Sequence, residues 1–147
     1  MSSCASSTGA TSLRTFNEDL MARILIAEDE EAVRSLVARA LTLDGHEVMT
    51  ANDGAAALDL LTRAESEFEL LLTDIRMPVM DGIALALAAA RDHPNLAILL
   101  MTGYADQRER ASGLEALIHD VITKPFSLSI IRGAVNDALA AAARQVH

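Results

Sequence analysis

From Arg23 onward, short apolar runs alternate with stretches in which apolar residues recur at helical spacing. Ile24-Leu25-Ile26-Ala27 is a brief apolar run that ends in charge at Glu28 and Asp29. Val33, Leu36, Val37, Ala40 and Leu41 then recur at i, i+3, i+4, i+7 and i+8, which is one face of a helix. Asp44-Gly45 stops that helix, because glycine readily takes the left-handed conformation that closes a helix C-terminus. The cycle repeats. Glu47-Val48-Met49-Thr50 predicts a second strand, and Asn52-Asp53-Gly54 caps a helix running to about Arg63. Leu70-Leu71-Leu72-Thr73-Asp74 is a continuous apolar strand ending in a carboxylate. A loop holding Pro78 and Gly82 leads into a third helix that ends near His93-Pro94. Ala97 to Thr102 predicts the fourth strand, and Asp106 with Glu109 forms a capping box for a fourth helix. Leu117 to Thr123 predicts the fifth strand. Lys124-Pro125 breaks the chain, and Ile130, Ile131, Ala134, Val135, Ala138 and Leu139 trace a last amphipathic helix.

Five strand–helix units imply an α/β fold, a doubly wound five-stranded parallel sheet flanked by five helices. Uninterrupted apolar strands such as 70–73 and 97–101 are what burial on both faces demands. The folded domain is expected over residues 22–143, with 144–147 as a C-terminal tail and no room for a second folded domain. Residues 1–21 are rich in Ser and Thr and have neither a basic n-region nor an apolar h-region, so a signal peptide is not expected. They read as a disordered extension or as the product of a start codon placed too early, with Met21 the sensible start.

Composition narrows the classes. A length of 147 residues fits one domain with a real core, and 51% hydrophobic against 22% charged residues is an ordinary globular balance. Aromatics are 3% and Trp is absent, so stacking platforms for single-stranded nucleic acid are scarce. A net charge of −9 repels a phosphate backbone, which argues against nucleic acid as a partner. The single cysteine, Cys4, cannot form an internal disulfide, and a reduced cytoplasmic setting fits. The longest apolar runs, such as Ile83 to Ala90, fall far short of the ~20 residues of a spanning helix.

In an open parallel sheet, ligands sit beyond the carboxyl ends of the strands. Those ends carry Glu28-Asp29, Asp74, Thr102-Gly103 and Lys124-Pro125. Clustered carboxylates repel one another unless a cation neutralises them, and Mg2+ suits such oxygen ligands while keeping waters that a phosphate can replace. With a cation and Lys124 beside it, the Asp74 carboxylate can act as a nucleophile toward a phosphoryl donor. Thr102 is placed to hydrogen-bond the phosphoryl oxygen afterward.

The acidic pair, the segment Asp74-Ile75-Arg76-Met77-Pro78-Val79-Met80-Asp81-Gly82, Thr102 and Lys124-Pro125 resemble the receiver domains of two-component response regulators over residues 23 to 142. The resemblance implies a flavodoxin-like, CheY-like sheet of order 2-1-3-4-5 and a phospho-acceptor at Asp74. It implies Mg2+ (or Mn2+) held by Asp29 and Asp74, by Glu28 through water and by the backbone carbonyl of Arg76. Thr102 becomes the switch hydroxyl and Lys124 the charge partner, followed by a cis peptide to Pro125. It also implies a histidine kinase or histidine phosphotransferase as donor. The role is not that of an enzyme, since the domain assists only its own phosphorylation and dephosphorylation. Met101-Thr102-Gly103-Tyr104-Ala105-Asp106-Gln107-Arg108-Glu109-Arg110 and Lys124-Pro125-Phe126 are similar, more narrowly, to CpdR-type single-domain regulators of alphaproteobacteria. That likeness implies ClpX and protease substrates as partners, with the unphosphorylated form priming ClpXP.

Two positions depart from the pattern. Val121 stands three residues before the lysine, where receivers often carry Tyr or Phe, so an aromatic rotamer is not there to couple site and surface. Tyr104, Val121 and Pro125 are the candidate residues of a switch and partner face formed by the fourth helix, fifth strand and fifth helix. Arg76 is long and cationic where many relatives have shorter polar groups. It is expected to pair with Glu28 or crowd the hydrolytic water, slowing self-dephosphorylation.

Three functions use this chemistry: a phosphorylation-controlled binding module, a phosphoryl shuttle between histidine proteins, and a small phosphatase with an aspartyl nucleophile. The last typically needs a carboxylate two residues past the nucleophile, where this chain has Arg76. Each residue alone has a plainer reading, with Asp74 a helix cap, Glu28-Asp29 a polar rim, Lys124 a surface ammonium and Thr102 a loop cap. Their arrival at four strand ends of one fold favours a site. Asp81-Gly82 reads as turn chemistry, with Gly82 permitting a tight bend. His46, His93, His119 and His147 are too scattered for a metal site, and the Ala-rich stretches 86–90 and 138–143 read as close-packing helix faces.

Overall fold

Strands β1 (Arg23–Ala27), β2 (Glu47–Ala51), β3 (Leu70–Asp74), β4 (Ala97–Thr102) and β5 (Asp120–Thr123) pair in parallel, in the order β2-β1-β3-β4-β5. The computed structural model describes residues 21–63, 68–103, 111–114 and 116–146. Among these are four α-helices: α1 (Glu31–Leu43), α2 (Gly54–Arg63), α3 (Gly82–Asp92) and α4 (Leu128–Val146). The sequence pattern predicts five. The expected helix after β4, with its capping pair Asp106 and Glu109, falls on residues outside those described; Ser112–Leu114 form a short 3-10 turn.

The apolar strands sort into two layers because successive side chains point to opposite faces. Leu25, Ala27, Leu71, Ile98 and Leu100 pack with Ala57 and Leu61 of α2 and Leu85 and Ala89 of α3. Ile24, Ile26, Leu70, Leu72, Leu99 and Met101 pack with Val37 and Leu41 of α1 and Ile131, Val135 and Leu139 of α4. Every residue of β3 is buried, as its unbroken apolar run requires. Truncating a central side chain such as Leu72 to alanine would cost about 3 kcal/mol by cavity formation.

Local signals behave as their chemistry dictates. Gly45 sits at φ 99, and the Gly45 and His46 N–H groups donate to the carbonyls of Thr42 and Leu41, closing α1. Asp53 caps α2 by accepting from the Ala56 N–H at 2.7 Å, and Ser127 caps α4 through the Ile130 N–H at 3.1 Å. Three expectations shift. β5 begins at Asp120 rather than Leu117, because the N–H groups of Leu117 and Ile118 turn back to the Leu114 carbonyl. Leu36 and Ile130, assigned to buried stripes by periodicity, are 53% and 57% exposed. α4 continues to Val146, past the boundary expected at 143.

Candidate functional site

Strand register decides which residues meet. Ala27 lies opposite Thr73, Asp74 opposite Met101, and Thr102 opposite Thr123. Glu28, Asp74, Thr102 and Lys124 therefore emerge at one edge, at the point where strand order reverses between β1 and β3. The backbone ties these ends together. The N–H of Glu28 donates to the Ala51 carbonyl, that of Ile75 to Met101, and that of Lys124 to Thr102 at 2.7 Å.

At this edge the Lys124 ammonium donates to Glu28 Oε1 at 3.0 Å and to Asp74 Oδ2 at 3.2 Å. Carboxylate oxygens of Glu28, Asp29 and Asp74 all lie within 4.8 Å of one another. Glu28 is fully buried, Asp74 and Thr102 are buried, and Asp29 is exposed at the mouth. The second oxygen of Glu28, Oε2, accepts from the Glu30 N–H at 3.1 Å. A cleft of about 750 Å³ opens onto Asp29, Asp74 and Lys124, with Arg76, Pro125 and Phe126 in its walls.

Burial pushes the Glu28 carboxyl up to about 7, against the hydrogen bond from Lys124. Burial likewise raises Asp74, opposed by the Lys124 charge. Desolvation would lower Lys124, but its hydrogen bond to Glu28 and the charge of Asp74 outweigh it and hold the ammonium above its ordinary value. Three carboxylates against one ammonium leave two negative charges when all are ionised. An all-oxygen donor set with that excess fits a hard divalent cation such as Mg2+ or Mn2+.

The sequence profile of the response regulator receiver domain matches residues 24–136. The chain belongs to the response regulator receiver family. It is 38% identical to the response regulator receiver protein CpdR of Brucella abortus, over 83% of this chain and 100% of that protein. It spans only 25% of AtoC of Escherichia coli and 46% of MprA of Mycobacterium avium, to which it is 40% and 36% identical. A CheY-like receiver domain protein from Methanospirillum hungatei superposes with a TM-score of 0.77 at 26% identity, covering 85% of this chain and 98% of that one. TrrA of Thermotoga maritima, solved in complex with Mg2+–BeF, gives 0.71 at 26% identity over 80% of this receiver and 99% of its own chain.

The receiver fold thus gathers Glu28, Asp29, Asp74 and Lys124, with Thr102 buried at the adjoining strand end. Arg76 is exposed in the cleft wall. Of the expected switch residues, Val121 is half-buried against the α2–α3 side of the core, and Pro125 is exposed after a cis peptide bond. Tyr104 lies outside the described residues. His46 is buried and its Nδ1 accepts from the Ala22 N–H at 3.1 Å.

Three contributors escape the sequence reading. Asp81 is the N-cap of α3, accepting from the Ala84 N–H at 2.9 Å, and Gly82 is not there for an unusual bend. A Cβ at Gly82 would overlap the carbonyl oxygen of Asp74, so α3 starts against the backbone of Asp74. Arg34 Nη1 donates to the Glu28 carbonyl at 2.8 Å. The legible signal was its place one turn into α1, since helical side chains lean toward the N-terminus.

Proposed function

We propose that this receiver accepts a phosphoryl group on Asp74 with Mg2+ or Mn2+ bound, and that phosphorylation switches a protein-binding face. The observation that carries the reading is the shared Lys124 ammonium, 3.0 Å from Glu28 and 3.2 Å from Asp74, beside the exposed Asp29. Asp29, Asp74, the Arg76 backbone carbonyl and, through water, Glu28 would hold the cation. When bound, it supplies charge neutralisation at the phosphoryl oxygens. Asp74 Oδ attacks phosphorus as the bond to the donor's histidine nitrogen breaks, giving an aspartyl phosphate. Lys124 pairs with a phosphoryl oxygen, and the Thr102 hydroxyl donates to another.

Receiver membership calls for a phosphodonor partner, a histidine kinase or histidine phosphotransferase. The likeness to CpdR over that protein's whole length supports a regulator acting through ClpX and protease substrates in the cytoplasm. Tyr104, Val121 and Pro125 are the proposed residues of the switch face. Capture experiments with wild type and Asp74→Asn, with and without phosphodonor, test this. Phosphorylation-sensitive capture of ClpX, or of another partner that is not a histidine protein, supports the module. Recovery of histidine proteins alone makes the chain a shuttle.

A further inference from the structure

We infer that Arg34 is a positioning residue for the cation site, acting through the Glu28 backbone and not through its charge. This rests on the metal reading above. The guanidinium Nη1 donates to the Glu28 carbonyl oxygen at 2.8 Å, from a partly buried side chain at the fourth position of α1. Both residues are also held through their backbones. The Arg34 N–H donates to the Glu30 carbonyl at 2.9 Å, and the Glu28 N–H donates to the Ala51 carbonyl at 3.1 Å. Arg34 also lines a cleft of about 400 Å³ together with Thr50, Asn52 and Asp59.

Glu28 is therefore held at three points, two on its backbone and one on its side chain, before any cation arrives. The Glu28 N–H is tied to β2, its carbonyl to Arg34, and its Oε2 to the Glu30 N–H. Fixing that peptide sets where Glu28 and the following Asp29 present their oxygens. Partners behind metal ligands typically change metal affinity by about 10- to 100-fold when removed. A guanidinium next to a cation site has an opposing electrostatic effect, because its charge repels the incoming ion. The two roles thus predict opposite signs, which makes them separable.

The test is calorimetric titration of the full chain with Mg2+ alone, for wild type, Arg34→Met and Arg34→Lys, with thermal unfolding of each metal-free protein. Positioning predicts that Arg34→Met binds Mg2+ about tenfold or more weakly. Arg34→Lys, which keeps a donor for the carbonyl, stays within about threefold of wild type. Mg2+ affinity that is unchanged or tighter in Arg34→Met overturns the inference, including when its unfolding temperature falls. Should Arg34→Met fail to fold, Arg34→Leu, which likewise has no donor, takes its place with the same two outcomes. Failure of the wild type to bind Mg2+ would overturn the metal reading itself, which separates the two claims.

Discussion

Lys124 lies 3.0 Å from Glu28 and 3.2 Å from Asp74, so a single ammonium is shared between a fully buried carboxylate and the proposed acceptor. Removing it leaves two buried acids without their counter-charge. Lys124→Met is expected to lower metal-free stability by about 2 kcal/mol at a pH near 8, read by urea unfolding. The loss should shrink on acidification. Glu28 has its folded value raised to about 7 from 4.5, so the folded state binds more protons between those values. Its contribution is fully present below 4.5 and is lost as pH rises through about 7. A loss that grows on acidification would contradict this.

Asp74→Asn should act in the opposite sense. It cuts the excess from two negative charges to one and removes the proposed acceptor carboxylate, an exchange of function for stability. Metal-free stability is expected to rise by about 1 kcal/mol in urea unfolding, and a fall of that size would count against mutual repulsion in the site.

Two backbone substitutions between β3 and α3 carry opposite signs. Gly82→Ala drives a methyl group into the Asp74 carbonyl and should cost about 3 kcal/mol. Val79 sits at φ 71, in a tight turn where the Met80 N–H donates to the Pro78 carbonyl at 2.8 Å, and is 83% exposed. A β-branched residue is strained there, so Val79→Gly should gain about 1 kcal/mol. Equal effects in chemical unfolding would contradict the packing.

His46 gives a separable pH dependence. Burial lowers it from 6.5, against the pull of Asp44 and Glu69, and its Nδ1 must stay unprotonated to accept from Ala22. Its contribution to stability is thus fully present above 6.5 and is lost as pH falls through the lowered folded value. Asn can supply the same acceptor without titrating. The stability difference between wild type and His46→Asn should therefore shift against wild type on acidification below 6.5, and a constant difference would refute the assignment.

Arg76 stands in the wall of the cleft that reaches Asp74. Obstruction of hydrolytic water by this long cation predicts that Arg76→Asn shortens the phosphorylated half-life severalfold. Decay of the radiolabelled protein measures this, and an unchanged half-life removes Arg76 from the account.

What was legible from residues alone was the set of strand ends. β3 announces itself because burial on both faces forces an apolar run, and the first ionisable residue after it, Asp74, must sit at an edge. The same logic found Glu28-Asp29 and Lys124. Which carboxylate the ammonium prefers was not legible, because register and burial decide it only once the strands pair. The role of Gly82 was hidden by its resemblance to an ordinary turn glycine, since close approach to Asp74 is a tertiary property. Leu36 misled for a related reason: the apolar period marks a stripe, but only the partner helix determines its width. The Leu117 boundary failed because an apolar residue in a turn is locally indistinguishable from one in a strand.

Phosphoryl uptake at Asp74 is the claim on which the function turns. The direct measurement is intact-mass analysis after incubation with acetyl phosphate, with and without Mg2+, for wild type and Asp74→Asn. Addition of one phosphoryl group to wild type, dependent on Mg2+ and absent from Asp74→Asn, is the predicted result. An unmodified wild type, or equal modification of the variant, would contradict it.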